Sequence, residues 1–206
     1  MVNYNEAFKR PFTDIKSLII GCLLNILPII NFFAIGYILK STDTLFSKRK
    51  NFAMPVWTDW GNLFVKGLVA FVIAIIYMIP ALILFAFAAA STGFAAITAT
   101  DLSTMGLASF GILGIIGMIV SLAMAYIIPS AVLSYQMGGA FGAAFTVNVF
   151  KKAFNGAYAI PWIVGMLFTI VLTGVLGFIP VIGSAIAGYI GYVVLLSLLA
   201  QDYATF

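Results

Sequence analysis

The sequence predicts an all-α, polytopic helical integral membrane protein of about six membrane segments, including two Pro-centred hairpins and two long spans. Three observations predict it. Hydrophobic residues make up 64% of the chain and charged ones 8%, against nearer half and a quarter in a soluble domain. The apolar residues run in long uncharged stretches separated by short connections that carry the charge. The ten Lys and Arg gather on one face if the first apolar run folds back on itself.

Residues 1–16 are mixed and partly amphipathic, with Phe8 and Phe12 beside Lys9 and Arg10. They read as an interfacial segment, with Thr13 as N-cap of the helix that follows. Residues 17–47 hold the first apolar run, with Asn25, Pro28 and Asn31 at its middle. One reading is a single span kinked at Pro28. The other is a hairpin that returns to its side of entry, its broken backbone covered by protein. The Ile19-Ile20-Gly21-Cys22 stretch resembles a lipoprotein cleavage box, but the apolar run before Cys22 is too short for a signal peptide. Cys22 reads as a small buried side chain.

Residues 48–65 are the most polar part, with Lys48, Arg49 and Lys50 followed by Trp57 and Trp60. Tryptophan beside basic charge suits the headgroup level, where it marks topology and contacts anionic lipid. Pro55 breaks any preceding helix, and Thr58 or Asp59 caps the next. Residues 66–90 are a span. Residues 91–106, rich in small and hydroxyl residues with Asp101 as the lone charge, read as an outer loop. Residues 107–135 form a second long span with Pro129 towards its end. Residues 136–160 read as interfacial, carrying Lys151 and Lys152 at the headgroups. Residues 161–200 are two helices joined by a tight turn through Pro180 and Gly183.

The positive-inside rule separates the readings of the first run. As a hairpin, it leaves all ten Lys and Arg on one face. As one span, it splits them and the asymmetry collapses. The hairpin is the expectation, with both termini cytoplasmic and the protein in the cell membrane. An internal repeat supports it: Pro28 laid on Pro180 brings Gly36, Tyr37 and Ile38 onto Gly188, Tyr189 and Ile190.

Pro28-Ile29-Ile30-Asn31, Gly36-Tyr37-Ile38-Leu39, Pro55-Val56-Trp57-Thr58-Asp59-Trp60-Gly61 and Phe64-Val65-Lys66-Gly67-Leu68 together resemble a prokaryotic, largely archaeal, membrane family, the domain of unknown function 4013. The motif-bearing part runs from about Ile20 to Tyr77. The resemblance implies a multi-pass membrane protein and carries no activity with it.

The chemistry-bearing residues point away from catalysis. There is no His, and the six carboxylates lie in connections or near termini, so no acid–base pair or metal-ligand spacing forms. No enzyme, metal or other cofactor is expected, and the scattered basic residues do not suit nucleic acid. No ionisable residue sits within a span, which argues against a coupled carrier. Asn25 and Asn31 are read as satisfying carbonyls freed by the turn at Pro28, or alternatively as a polar constriction. Gly111, Gly114 and Gly117, and Ala187 with Gly191, present small faces for close helix packing or self-assembly. The expected role is a non-enzymatic scaffold, assembly or membrane-organising protein that contacts membrane lipids and forms a homo-oligomer. The alternative is an oligomeric passive channel or small-solute facilitator.

Overall fold

The computed structural model describes residues 2–47, 51–98 and 111–203, and these are mostly helical with no strand among them. The chain runs α1 (Tyr4–Lys9), a 3-10 turn (Arg10–Phe12), α2 (Ile15–Ile26), α3 (Asn31–Thr42), α4 (Trp60–Thr98) and α5 (Gly111–Gly138). Among the described residues there follow a further 3-10 turn (Phe141–Phe145), α6 (Val147–Ala153), α7 (Gly156–Leu176) and α8 (Ile182–Tyr203). Four helices, α4, α5, α7 and α8, are long and apolar enough to cross a membrane, and α2 is apolar but shorter.

Local chemistry sets the boundaries. Asn3 caps α1, its side chain accepting the Glu6 N–H at 3.2 Å. Asp14, rather than Thr13, caps α2: it accepts from the N–H groups of Lys16 and Ser17, and the Ser17 hydroxyl donates to it at 2.7 Å. A carboxylate serves the cap better because it answers several free donors at once and favours the positive end of the helix dipole. Asn155 caps α7 through the Ala157 N–H at 3.0 Å.

Three boundaries differ from the sequence reading. α4 continues past Ala90 to Thr98, since Ala, Ser and Thr extend a helix that nothing breaks. The rest of the expected outer loop, with Asp101, and the Lys48, Arg49 and Lys50 cluster lie outside the described residues. The segment 136–160 is not one interfacial piece. α5 runs on to Gly138, Gly139 turns with a φ of 67°, and α7 begins at Gly156.

The chain divides into two compact units, Met1–Ile73 with Pro129–Phe206, and Ala74–Ile128. In the first, α8 is the central helix: Ala187, Tyr189, Val193, Val194, Leu198 and Ala200 are wholly buried. α7, α2 and α3 surround it, and α1 covers its C-terminal end through Ala7 and Phe8. Its close approaches rest on missing side chains. A Cβ on Gly165 would press on Leu195, one on Gly191 would reach Thr169 Oγ1 at 2.5 Å, and one on Gly21 would enter the Tyr189 ring. In the second unit α4 packs on α5, where a Cβ on Gly117 would lie 3.1 Å from the Phe85 ring.

Candidate functional site

The polar groups of the first unit gather around the residues that begin and end its helices. Arg10 stands at the centre. Pro11, which has no N–H, ends α1 and turns the chain, and the Arg10 side chain is left with no exposure at all. Its Nε donates to the Phe52 carbonyl at 3.2 Å, Nη1 to Ser197 Oγ at 2.9 Å, and Nη2 to Thr44 Oγ1 at 3.1 Å and to the Ser41 carbonyl. Every acceptor is neutral. Burial lowers the Arg10 pKa from 12.5 to about 10, partly offset by the phenols of Tyr37 and Tyr189. The guanidinium therefore keeps its charge at neutral pH. It ties the segment before α2 to the end of α3, so the two ends of the first apolar run meet.

Further pairs extend this layer. Gln201 near the end of α8 accepts from the Asn3 N–H at 2.7 Å. Gln136 at the end of α5 donates to Asp43 just past α3 at 2.6 Å. Tyr203 Oη lies 2.7 Å from both Ser130 Oγ and Ser134 Oγ of α5. Lys152 of α6 donates to the Tyr203 carbonyl at 2.8 Å, with its ammonium 4.2 Å from that ring's centroid.

Beside this layer, the motif residues form an aromatic clasp. Pro55–Asp59 runs without helix along α3. Trp57 stacks on Tyr37 with centroids 3.8 Å apart and planes 2° from parallel. Tyr37 Oη donates to the Pro55 carbonyl at 2.6 Å, and Lys40 Nζ to Thr58 Oγ1 at 2.9 Å. Asp59 takes a φ of 61°, a left-handed position that a short polar side chain tolerates, and α4 starts at once. Trp60 then meets Phe33, and Phe64 meets Phe32, ring edge to face. Beneath the rings, a Cβ on Gly36 of α3 would collide with the Leu63 carbonyl of α4, and one on Gly67 of α4 with the Phe32 carbonyl of α3. This reciprocal pair lets two backbones touch, at a separation suited to Cα–H···O contacts.

The two turns share one geometry. Ile29, after Pro28, has a φ of 71°, and Val181, after Pro180, has 65°. Asn31 N–H bonds the Leu27 carbonyl and Gly183 N–H the Ile179 carbonyl, each at 2.9 Å. Asn25 does not serve its own turn. Its amide donates to the Ala185 carbonyl in the first turn of α8 at 2.8 Å, joining α2 to α8. Asn31 Oδ1 is buried without a partner.

The residues expected at the headgroups divide. Trp60 and Lys151 are exposed, Trp57 is half-buried against Tyr37, and Lys152 turns inward to Tyr203. Of the packing residues, Gly117, Ala187 and Gly191 are buried in contacts within their own units, while Gly111 faces open space with a φ of 51°. Gly114 is buried as well. Among the described residues no group of three His, Cys, Asp or Glu is placed to hold a metal ion.

A family model described as "Protein of unknown function (DUF4013)" matches residues 19–182, which takes in the clasp and both Pro turns. No curated protein and no solved structure matches the chain.

Proposed function

The chain belongs to the protein family of unknown function DUF4013, and from that premise we propose that it is a non-enzymatic membrane-organising scaffold acting through helix packing and lipid contact. The observation that carries this reading is how its polar chemistry is used. Arg10, Asn25, Gln201 and Tyr203 each bond another segment of the chain. Groups committed in this way fix helices and are not free for substrate. Arg10 joining the two ends of the first apolar run supports two Pro-centred hairpins with two long spans, about six membrane segments, and both termini on the cytoplasmic side. Self-association belongs to the same proposal.

The test is reconstitution. The proposal expects a defined oligomer in detergent and in lipid, and a change in vesicle curvature that grows with protein density. Monomers in both media with vesicles of unaltered shape would refute it. A second reading, a passive path for small solutes, rests on one atom, the buried and unpartnered Asn31 Oδ1. It requires a leak across liposomes that Asn31→Leu abolishes.

A further inference from the structure

Each hairpin in the first unit is preceded by a short helical segment, and the two segments match. Phe8-Lys9-Arg10-Pro11-Phe12 precedes α2, and Phe150-Lys151-Lys152-Ala153-Phe154 precedes α7. Their burial runs in parallel. Lys9 and Lys151 are exposed, Pro11 and Ala153 are buried, and Phe12 and Phe154 stand out at 51% and 70% exposure.

The second basic residue of each segment makes the same kind of bond. Arg10 donates to the Ser41 carbonyl in the last turn of α3, the returning helix of the first hairpin. Lys152 donates to the Tyr203 carbonyl at the end of α8, the returning helix of the second. Between these closures lie the Pro turns with matching left-handed residues at Ile29 and Val181. The limbs differ in length by nearly the same amount: 12 against 21 residues outgoing, and 12 against 22 returning. A helix pair lengthened equally on both limbs keeps its turn and its closure intact.

From this we infer that the first unit holds two copies of one element: an interfacial helix, an outgoing helix, a Pro turn and a returning helix locked by a basic residue. The exposed Lys9 with Phe12, and Lys151 with Phe154, are then paired feet on one leaflet, and their partner is an anionic lipid surface. The closing bond in each copy returns the chain to the face it entered from, which puts both feet on the same side. Exposed phenylalanine beside exposed lysine suits the boundary between acyl chain and headgroup. Charge complementarity selects anionic headgroups: the two segments carry no acid, with Glu6 and Asp14 flanking the first.

The inference shares the bilayer setting of the proposed function but not its scaffold role. The test uses the full chain in vesicles of phosphatidylcholine and phosphatidylglycerol, with Cys22→Ala and the pair Phe12→Cys and Phe154→Cys. A membrane-impermeant maleimide is added outside and labels are counted by mass. Feet on one leaflet give molecules with two labels or none, whatever the mixture of orientations. Molecules carrying one label each overturn the inference.

A second measurement places bimane on each cysteine and compares quenching by brominated phosphatidylglycerol and brominated phosphatidylcholine. Lys9→Gln for the first foot and Lys151→Gln for the second each lower the phosphatidylglycerol preference about fivefold, the worth of one basic residue near an anionic surface. Lys→Arg at either position keeps it. A preference unchanged by both Gln substitutions overturns the lipid partner. Two-or-none labelling with vesicles of unaltered shape leaves this inference standing and refutes the scaffold role.

Discussion

Replacing Arg10 with Met tests whether the polar closure holds the first unit together. The side chains are similar in reach, so packing along the stem survives and the change isolates the guanidinium. Four hydrogen bonds from a charged donor are lost, each worth about 1.5 kcal/mol at the low end, for a gross loss of about 6 kcal/mol. Against this, the variant no longer keeps a cation out of water. The fall in pKa from 12.5 to about 10 values that relief at about 3 kcal/mol. The net expectation is a loss of about 3 kcal/mol. For a chain of this size a midpoint falls by about 2–4 °C per kcal/mol, so melting should drop by about 6–12 °C. The assay is thermal unfolding in detergent micelles, read by the reaction of Cys22 with a thiol dye, since Cys22 is half-buried in α2. Arg10→Lys should lie between parent and Met variant, because an ammonium restores charge but not the planar fork. A Met variant that melts at or above the parent would refute the reasoning.

Gly36→Ala and Gly67→Ala each drive a methyl into a backbone carbonyl of the facing helix, and overpacking of this kind costs about 1–3 kcal/mol or more. Gly174→Ala, in open space on α7, should instead be neutral or raise the same melting midpoint. Tyr37→Phe removes the bond to the Pro55 carbonyl and should cost about 1 kcal/mol while leaving the Trp57 stack and its fluorescence intact. Ile29→Gly and Val181→Gly relieve a left-handed backbone at exposed turn residues, so each should gain about 1 kcal/mol in the same melt. Bonds from Ser17 hold the Asp14 carboxyl below its ordinary 3.8. The cap's contribution is therefore complete above that value and is lost as pH falls through the lowered pKa. The protection of the Ser17 N–H, taken relative to its intrinsic exchange rate at each pH, should fall over that acid range in the parent and be independent of pH there in Asp14→Asn.

The membrane class and most helix positions were legible in the sequence because both follow from local properties. An uncharged apolar run needs no knowledge of its neighbours to be placed in lipid. The turns fall at Pro28 and Pro180, but proline alone did not announce them, since Pro80, Pro129 and Pro161 lie inside α4, α5 and α7. The interior partnerships were not legible. Arg10 and Lys9 look alike as adjacent basic residues, yet one is wholly buried and the other exposed. What separates them is the place of Ser41, Thr44, Phe52 and Ser197, all distant in sequence. Asn25 was expected to serve its own turn, but its amide reaches the Ala185 carbonyl, 160 residues away in sequence. The clasp was half legible. Its residues were conspicuous as a motif, while the reason for Gly36 and Gly67 appears only when each is seen against the other helix's backbone.

In hydrocarbon the lipid tails are as apolar as leucine, so burial alone does not hold helices together. Close backbone contact and polar closure must do it. Here the glycines at positions 36, 67, 165 and 191 provide the first, along the helices, and the second sits around their ends. The sign of the closing charge follows from hairpin geometry. A hairpin always brings the carbonyl end of its returning helix back to the face of entry, and that end carries a partial negative charge. A cation placed just before the hairpin meets this charge without needing a carboxylate, and Arg10 at Ser41 and Lys152 at Tyr203 are both such cations. On the proposed topology, with both termini cytoplasmic, the bias that keeps basic residues on that side acts on the same positions. In an antiparallel hairpin that starts inside, the charge that sets topology and the charge that closes the helix pair are demanded at the same end, and one residue satisfies both.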